Sequence, residues 1–452
     1  MRLRKTLTTI VATAILLAGW QLFAVIANQP ELIPSLPRLV RTLCEWLVSG
    51  SFYQSVGATI LRGVLGMSIS FVCAIGMAGL FARFEWVYEL FRPLLAIMRS
   101  IPVISFILLA LIFLNPESIP LMIAFLTMFP LLTENLTRGI LDLRPGLSIM
   151  ARQFHIRRSN VLFQIIYPQL KPFLYSGLAS AAGFGWRAII MGEVLSQCAF
   201  GIGSEMKRAQ NFIAVPELLA WTIVAVFISF FFDKGISKVA DITPKISFAN
   251  EDQTIPTPTL SVLDTKDISY QYGIQHFSHS FQKGIIYGIS APSGKGKTTL
   301  LNLIGGILLP TEGEIHPTRH FGIATIFQQP QLLPHLTAEE NIILPLSSFL
   351  TEEKARRIAQ KHLQEMEMEP FGNRYPKELS YGQQQRIAIA RALAYPSPLL
   401  LMDEPFKGLD EALSHRIIER IREKQMKEER IILFTSHNPD EIRLLADEVI
   451  YL

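Results

Sequence analysis

Residues 291–299 read APSGKGKTT, a glycine- and lysine-rich segment whose residue types suit the binding of phosphate groups. An apolar strand candidate at 285–290 precedes the segment, and a helix candidate at 298–308 follows it. At such a junction the backbone N–H groups and the positive end of the helix dipole favour phosphate oxygens. Lys297 would reach the β and γ phosphates of a nucleotide, and the Thr298 hydroxyl would take a Mg²⁺ ligand position. We therefore expect ATP and Mg²⁺ to bind, with nucleotide contacts from Ser293, Gly294, Lys295, Gly296, Lys297, Thr298 and Thr299.

This phosphate loop departs from the strict pattern G-x-x-x-x-G-K-[ST] at its first position. Ala291 stands where the pattern has glycine, and Gly288 lies three positions too early to replace it. If the backbone at Ala291 had to be left-handed, its Cβ would cost about 1–2 kcal/mol. We therefore expect weaker nucleotide binding. For the loop taken alone, a surface turn that gathers Gly and Lys by chance is the alternative.

Two adjacent carboxylates, Asp403 and Glu404, follow an apolar strand candidate at 399–402, about a hundred residues after the phosphate loop. Asp403 at a strand end can hold the Mg²⁺ shell, and Glu404 can orient or deprotonate an attacking water. An acidic pair after a strand is, by itself, more often a solvated turn. The order and spacing of the two motifs favour a site that hydrolyses ATP.

Residues 263–452 resemble the ATPase subunits of the ABC transporter family. Besides the two motifs above, IFQQPQLLPHLT with Gln328, LSYGQ at 379–383, GLD at 408–410 and FTSH with His437 carry the resemblance. It implies that Gln328 senses Mg²⁺ and the membrane partner, and that His437 acts with Glu404 and Gln328 in catalysis. It also implies Mg²⁺ ligation by Thr298, Gln328 and Asp403, with further nucleotide contacts from Tyr272, Ser380, Gly382, Gln383, Asp403 and Asp410.

Two aromatic residues bear on how the nucleotide would be held. Tyr272 stands where the family places an aromatic that stacks on adenine, an interaction worth about 1–3 kcal/mol per base. Tyr270 is a competing candidate, and a core position is the alternative for Tyr272. Tyr381 replaces the usual glycine at the third position of the signature motif LSYGQ. In the family this motif completes the site of the opposite subunit, so we expect pairing with a second copy or with a related half-transporter.

The first half of the chain contains apolar runs long enough to cross a membrane. Residues 7–27 and 63–82 hold 21 and 20 residues without a charge, and about 20 are needed. The remaining candidates, several of them shorter or interrupted by charge, give a total of about six transmembrane helices. They lie at 93–114, 118–133, 173–195 and 215–232.

Charge asymmetry predicts the orientation of these helices. With the N-terminus inside, 14 Lys and Arg residues lie on the cytoplasmic side and four in the outer loops, as the positive-inside rule requires. An even number of spans places the C-terminal ATPase in the cytoplasm. We therefore expect a multi-pass protein of the cytoplasmic (inner) membrane, in contact with lipid. A cleaved signal peptide is the alternative for the first span.

The basic segment at 136–172 is the longest cytoplasmic loop. Such a loop most often acts only as a topology determinant beside lipid headgroups. This one resembles the coupling loop of ABC importer permeases through Ala151 and YPQLKP at 167–172, although Ile149 and His155 replace the usual acidic residue and glycine. The resemblance implies a short helix that docks on the ATPase near Gln328.

The wider permease pattern, RSIP at 99–102 and FGWRAIIMGEVLSQCAFGIG at 184–203, resembles the nitrate, sulfonate and taurine importer permeases. Arg99, Arg187 and Glu193 fall within or beside the expected spans, where charged residues usually face a cavity or a partner. Arg187 could attract an anionic substrate. Alternatively, Arg187 and Glu193 could reach the outer surface.

The sequence as a whole predicts a membrane all-α permease fused to an α/β P-loop ABC ATPase domain with a helical subdomain. The expected divisions are 1–240 for the permease, 241–262 for a polar linker with three prolines, and 263–452 for the ATPase. A net charge of +4 gives no reason to expect nucleic acid, and the three cysteines have no metal or redox spacing.

The function implied by the resemblance is ATP-driven import of a small solute, such as a nitrate-, sulfonate- or taurine-like anion. A periplasmic or lipoprotein solute-binding protein would deliver this substrate. One alternative is an exporter or lipid transporter, whose common fused form has long helices projecting into the cytoplasm. The other is a membrane-tethered ATPase that signals without translocation and usually carries a large outer domain. Outer loops of at most about 30 residues leave no room for such a domain.

Overall fold

A computed structural model describes residues 2–240, 244–253, 260–271, 273–292, 294–317 and 322–452. The chain divides into two units. The helical unit comprises Met1–Leu143 and Gln169–Thr243, and the sheet unit comprises Arg144–Pro168 and Pro244–Leu452. A short segment from the first half of the chain therefore folds with the second half.

Helices dominate the first 240 residues. In chain order they are α1 (Arg2–Ala27), α2 (Leu36–Trp46), α3 (Gly50–Arg83), α4 (Glu85–Ser100), α5 (Val103–Phe113), α6 (Ile119–Leu141), α7 (Pro145–Gln153), α8 (Arg158–Asn160), α9 (Tyr167–Ser196), α10 (Ile202–Asn211) and α11 (Val215–Ala240). A π-helical turn, Val161–Ile166, joins α8 to α9.

Small side chains allow α3 and α6 to pack closely. Ser70, Ala74 and Ala78 of α3 are fully buried, and a Cβ added to Gly66 would lie 2.6 Å from the Cβ of Ala124 on α6. Close backbone approach through small residues is the usual way in which helices associate in a membrane. The helical unit thus has the packing of a membrane protein.

Among the described residues, four helices are long and apolar enough to cross a membrane, or five if the bent pair α4–α5 counts as one span. The sequence predicted a single helix over 93–114. The structure breaks it into α4 and α5, which meet at 94°. Ile101 is extended, with φ −71° and ψ 130°, because the ring of Pro102 disfavours helical backbone in the preceding residue.

Glu193 of α9 is fully buried inside the helical unit. Its carboxylate accepts hydrogen bonds from Arg62 at 2.8 Å, from the Thr59 hydroxyl at 2.9 Å and from the Gly203 backbone N–H at 2.9 Å. Arg62 also pairs with Glu117 at 2.7 Å. Glu193 therefore joins α3, α9 and α10 through a paired charge, as one of its two predicted roles requires, and its full burial contradicts the alternative that it reaches the outer surface.

The sheet unit alternates strands and helices. Its strands are β1 (Val262–Tyr270), β2 (Ile274–Gln282), β3 (Ile286–Ser290), β4 (Glu312–His316), β5 (Ala324–Ile326), β6 (Leu399–Asp403), β7 (Ile431–Thr435) and β8 (Glu448–Tyr451). Its later helices are α12 (Lys297–Ile304), α13 (Ala338–Leu346), α14 (Glu352–Glu365), α15 (Tyr381–Ala394), α16 (Glu411–Glu428) and α17 (Pro439–Leu445).

A five-stranded parallel sheet, in the order β5-β6-β7-β3-β8, forms the centre of this unit. All residues of β6 and β7 are buried, as expected for parallel strands covered on both faces. A smaller antiparallel sheet has the order β2-β1-β4. The strand and helix that the sequence predicts around the phosphate loop correspond to β3 and α12, so the α/β prediction is confirmed.

Candidate functional site

The phosphate loop connects the end of β3 to the start of α12. Gly294 and Gly296 have φ of +82° and +89°, a conformation that only glycine adopts without strain. A Cβ on Gly296 would also lie 2.6 Å from the carbonyl oxygen of Gly273. Ala291 is not among the described residues with positive φ. The left-handed conformation considered for Ala291 is therefore absent, and with it the expected strain.

Lys297 lies at the first position of α12, with only 8 % of its surface exposed. Its ammonium group donates a hydrogen bond to the Ala291 carbonyl oxygen at 2.6 Å. Lys295 and Thr298 are exposed, and Thr299 is half-buried. The predicted contact residues Ser293 and Tyr272 lie outside the described residues. The described part of the loop brings a buried cation to a helix N-terminus, an arrangement suited to phosphate.

Asp403 ends β6 and is held by two hydroxyl groups. Thr298 donates to Oδ2 at 2.9 Å, and Thr435, its neighbour on β7, donates to Oδ1 at 2.8 Å. Burial raises the pKa of Asp403, and these hydrogen bonds oppose the rise. A carboxylate beside a hydroxyl is the oxygen donor set that Mg²⁺ accepts together with nucleotide phosphates. The residues present thus fit the expected metal.

A cavity of about 270 Å³ extends from this corner of the site. Thr298, Asp403 and Gln328 line it, together with Gly146 and Ile149 of α7. The three residues expected to bind Mg²⁺ therefore share one cavity. The predicted coupling loop also contributes to the lining of that cavity.

Glu404 follows Asp403 and has a left-handed backbone, with φ +49°. Its backbone N–H donates to the Thr435 hydroxyl at 3.0 Å, which fixes the direction of its side chain. The carboxylate lies 3.0 Å from His437 Nε2 and 3.3 Å from the Lys407 ammonium group, and it accepts a hydrogen bond from the Gln328 amide. Glu404, His437 and Gln328 are thus brought together, as the resemblance implies.

The electrostatic balance at Glu404 favours the charged form. Partial burial, the largest influence, acts to raise its pKa, but the hydrogen bonds from Lys407 and Gln328 and the charges of Lys407 and His437 bring the pKa below its ordinary value. An ionised carboxylate can accept a hydrogen bond from water. The sequence did not predict that Lys407 and Thr435 contact the acidic pair. Only the pairing of β6 with β7 places Thr435 beside Asp403.

The signature motif forms the start of α15. Ser380 is the N-cap, and it forms a reciprocal capping box with Gln383, with hydrogen bonds of 2.9 and 3.3 Å. Asp410 likewise caps α16 by accepting from the Leu413 N–H at 2.9 Å. A Cβ on Gly382 would lie 2.6 Å from the Gly408 carbonyl oxygen. The nucleotide contacts implied for Ser380, Gly382, Gln383 and Asp410 stay predictions.

Helix α7 and the residues after it are part of the sheet unit. The Gln153 side-chain amide donates to the Gly305 carbonyl oxygen at 2.8 Å, and the Gln153 backbone carbonyl oxygen accepts from the Ile323 N–H at 2.7 Å. Phe154 is fully buried with its ring edge-on to that of Tyr395, 5.1 Å between centres. The predicted coupling segment is therefore anchored next to the helix of the phosphate loop and the strand that leads to Gln328.

A buried arginine connects the coupling segment with the signature helix. Arg391 of α15 donates to the carbonyl oxygens of Pro330 and Gln331 at 2.9 and 2.8 Å. Its guanidinium group lies 5.4 Å from the centre of the Phe154 ring. Burial lowers the pKa of Arg391 to about 10, so it stays charged at neutral pH. The mostly apolar residues beside Arg391 in the sequence did not predict its contacts with Pro330, Gln331 and Phe154.

Residues 244–253 of the predicted linker lie against the same region. Asn160 exchanges two hydrogen bonds of 2.8 Å with the backbone of Ser247 and donates a third, also 2.8 Å, to the Ser347 hydroxyl. Gln164 donates to the Pro244 carbonyl oxygen at 3.0 Å. The linker backbone continues with a hydrogen bond from Ala249 to Ser347 at 3.0 Å. It therefore packs over the coupling segment as part of the unit.

A second cavity, of about 350 Å³, lies within the helical unit. Its lining includes Arg99 and Arg187, and Ile101 and Val103 from the break between α4 and α5. Arg99 pairs with Glu134. Arg187 forms no ion pair with any described residue, so its positive charge is available at the cavity.

Comparison with known proteins covers both halves of the chain. The family model "ABC transporter" matches residues 274–407, and "Binding-protein-dependent transport system inner membrane component" matches 68–233. The ATPase half is similar to the thiamine import ATP-binding protein ThiQ of Yersinia pseudotuberculosis, with 34 % identity over 42 % of this chain and 86 % of that protein.

The chain is also similar to the Fe(3+) ions import ATP-binding protein FbpC of Rhizobium etli, with 35 % identity over 40 % of this chain and 54 % of that protein. It thus spans about half the length of that relative. Among solved structures, a post-hydrolysis dimer of an ATP-binding cassette bound to ADP and Pi is 32 % identical over 42 % of this chain and 94 % of that chain, with a TM-score of 0.40.

Proposed function

Because the chain belongs to the ABC transporter family, with permease and ATPase regions in one polypeptide, we propose that it imports a small solute across the cytoplasmic membrane by hydrolysing ATP. The observation that carries the proposal is the arrangement around Glu404. Its carboxylate contacts His437 and Gln328, and the adjacent Asp403 is bonded to the phosphate-loop Thr298. The same unit contains Arg144–Pro168, which includes most of the predicted coupling segment.

Each residue of the site has a distinct task in this proposal. Lys297 exchanges its bond to the Ala291 carbonyl for phosphate oxygens, and Thr298, Asp403 and Gln328 would hold Mg²⁺. A bound Mg²⁺ would neutralise charge on the β and γ phosphates. Glu404, ionised at neutral pH, accepts a hydrogen bond from the attacking water, and His437 keeps the carboxylate in place. Catalysis then depends on positioning and charge stabilisation, as is usual for phosphoryl transfer.

A second copy of the chain completes each nucleotide site. Ser380 and the Gly382 backbone would contact the γ-phosphate bound to the partner's phosphate loop, following the family resemblance. A two-fold pair provides both sites at once and brings two permeases together around one pathway. A related half-transporter could take the place of the second copy.

The transported solute is a small anion, of the nitrate, sulfonate or taurine type. Arg187, which has no ion pair among the described residues, supports this choice from its place at the 350 Å³ cavity, because a cation in a membrane cavity is costly without a counter-charge. The break between α4 and α5 also lines this cavity, as discontinuous helices do at the binding sites of other transporters. An external solute-binding protein delivers the anion.

Uptake into proteoliposomes tests the proposal. Vesicles with ATP inside and the cognate solute-binding protein outside should accumulate a labelled anion, and vesicles made with the Glu404→Gln variant should not. Outward movement of lipid or solute would favour an exporter. ATP hydrolysis that ignores the external protein, without movement of any solute, would favour a tethered ATPase.

A further inference from the structure

Tyr381 occupies a place in the signature motif where its side chain makes two contacts. Its hydroxyl donates a hydrogen bond to the carbonyl oxygen of Gln328 at 2.7 Å. Its ring lies against Gly408, where an added Cβ would be 2.8 Å from the Tyr381 Cδ1 atom. Gly408 has φ +79°, so this close approach uses the backbone freedom of glycine.

These contacts join three separate parts of the sheet unit. Tyr381 is the first residue of α15, Gln328 follows β5, and Gly408 precedes α16. The residue whose carbonyl Tyr381 binds is also the residue whose amide bonds Glu404. A glycine at position 381 would have no side chain to form either contact. The tyrosine therefore creates a connection from the signature motif to the environment of Glu404.

A tyrosine hydroxyl is protonated at neutral pH, so Tyr381 can donate the hydrogen bond that it makes to the Gln328 carbonyl oxygen.

We propose that Tyr381 is a positioning residue for ATP hydrolysis, which ties the signature motif and the Gly408 turn to Gln328 and thereby sets the position of Glu404. This inference rests on the proposed function. Since the signature motif of one chain contacts the nucleotide of the other, Tyr381 links the two nucleotide sites of the pair. Movement of Ser380 onto the partner's ATP is transmitted to Gln328 of its own site.

Steady-state ATPase of the full-length reconstituted protein, with its solute-binding protein, gives the first test. Tyr381→Phe should lower kcat by about 3- to 10-fold, the effect of one lost hydrogen bond. The KM for ATP should change less than about twofold, and the Hill coefficient for ATP should fall towards 1. Tyr381→Gly should lower kcat further, because the ring contact is also lost. Tyr451→Phe removes an exposed hydroxyl and is the matched control.

Hydrogen exchange on the same preparations gives a second readout that needs no turnover. Tyr381→Phe should speed exchange in a peptide covering 326–332, and Tyr451→Phe should leave it unchanged. Unaltered exchange there, or wild-type kcat in Tyr381→Phe, overturns the inference. Tyr381→Gly faster than wild type also overturns it, since the tyrosine would then be a brake. If the wild-type protein hydrolyses no ATP, the proposed function fails, and the exchange result still decides the role of Tyr381.

Discussion

The polar side chains of the sheet unit and of the helical unit are satisfied in different ways. Around the phosphate loop, the functional groups bond to one another: Thr298 and Thr435 hold Asp403, and His437 holds Glu404. In the helical unit, Glu193 is fully paired while Arg187 has no ionic partner among the described residues. The first arrangement fixes geometry before a ligand arrives, and the second leaves a charge for a ligand to match.

This difference agrees with what the proposed function requires of each unit. Phosphoryl transfer depends on groups held in place before the reaction, because reorganisation during the reaction would raise the barrier. A transport pathway must release its solute, so a single charge at a cavity is more suitable than a closed network. Glu193 shows that the helical unit can also build a closed network, where the task is to hold helices together.

Among the predicted effects, removing the Glu404 carboxylate, the proposed general base, should have the largest. Glu404→Gln should lower kcat for ATP hydrolysis by about 100- to 10,000-fold, because the amide cannot take a proton from water, while ATP binding persists. Phosphate release and binding of a fluorescent nucleotide measure the two properties. Glu419→Gln, an exposed position on α16, is the control. Turnover at the wild-type rate in Glu404→Gln would mean that Glu404 has no catalytic role.

Breaking the closed network of the helical unit should destabilise it. Arg62→Met leaves the buried Glu193 without its cation, which costs about 3–5 kcal/mol, and should lower the thermal unfolding temperature in detergent. Adding Glu193→Gln should recover much of the loss. Arg208→Met breaks an exposed pair with Glu205 and should cost at most about 1 kcal/mol. Equal stability of Arg62→Met and wild type would refute the structural role of the pair.

Replacing Arg187 tests whether its charge, which has no ionic partner among the described residues, binds the transported anion. Arg187→Ala should raise the KM for anion uptake by about 10- to 100-fold, the value of a hydrogen bond to a charged group, with basal ATPase preserved. Arg187→Lys should retain part of the affinity. Lys207→Ala removes a partly exposed cation of α10 and serves as the control. Unchanged uptake in Arg187→Ala would show that this arginine faces the membrane surface instead.

Replacing Asn160 tests how ATP hydrolysis is coupled to transport. Asn160→Ala removes three hydrogen bonds to the linker and to Ser347 and should reduce stimulation of ATPase by the solute-binding protein about fivefold, on the order of one hydrogen bond. Basal ATPase should persist. Ser159→Ala is the matched neighbour, since the Ser159 hydroxyl is buried without a partner in the described chain. Full stimulation in Asn160→Ala would contradict a coupling role for this contact.

Sequence patterns predicted which groups the sheet unit brings together, because the phosphate loop, the acidic pair and His437 each follow a strand whose position sets their direction. They also predicted a docked coupling segment near Gln328. Contacts between residues that lie far apart in the sequence were not predicted. Arg62 lies 131 residues from Glu193, and no spacing rule reports such a pair. The break at Pro102 had a local signal, the proline itself, but the apolar run concealed it.

Ala291 and Tyr381, the two residues that depart from the family pattern, also show that contacts between distant elements could not be predicted from the sequence. Ala291 raised the possibility of strain, but its backbone is not left-handed, so this strain does not arise. Tyr381 could be recognised as unusual from the sequence, but its bond to Gln328 depends on how α15 packs against the segment after β5. A motif predicts which groups take part, whereas contacts between elements decide what an unusual residue does.

The central claim is ATP-driven import of a small anion, and ligand-dependent ATPase tests it most directly. The full-length protein in proteoliposomes is assayed for phosphate release with its solute-binding protein and a panel of nitrate, sulfonates and taurine. The account predicts that one of these ligands stimulates hydrolysis several-fold, only when the binding protein is present and only with Glu404 intact. Hydrolysis that is unaffected by the binding protein and by every ligand would contradict it.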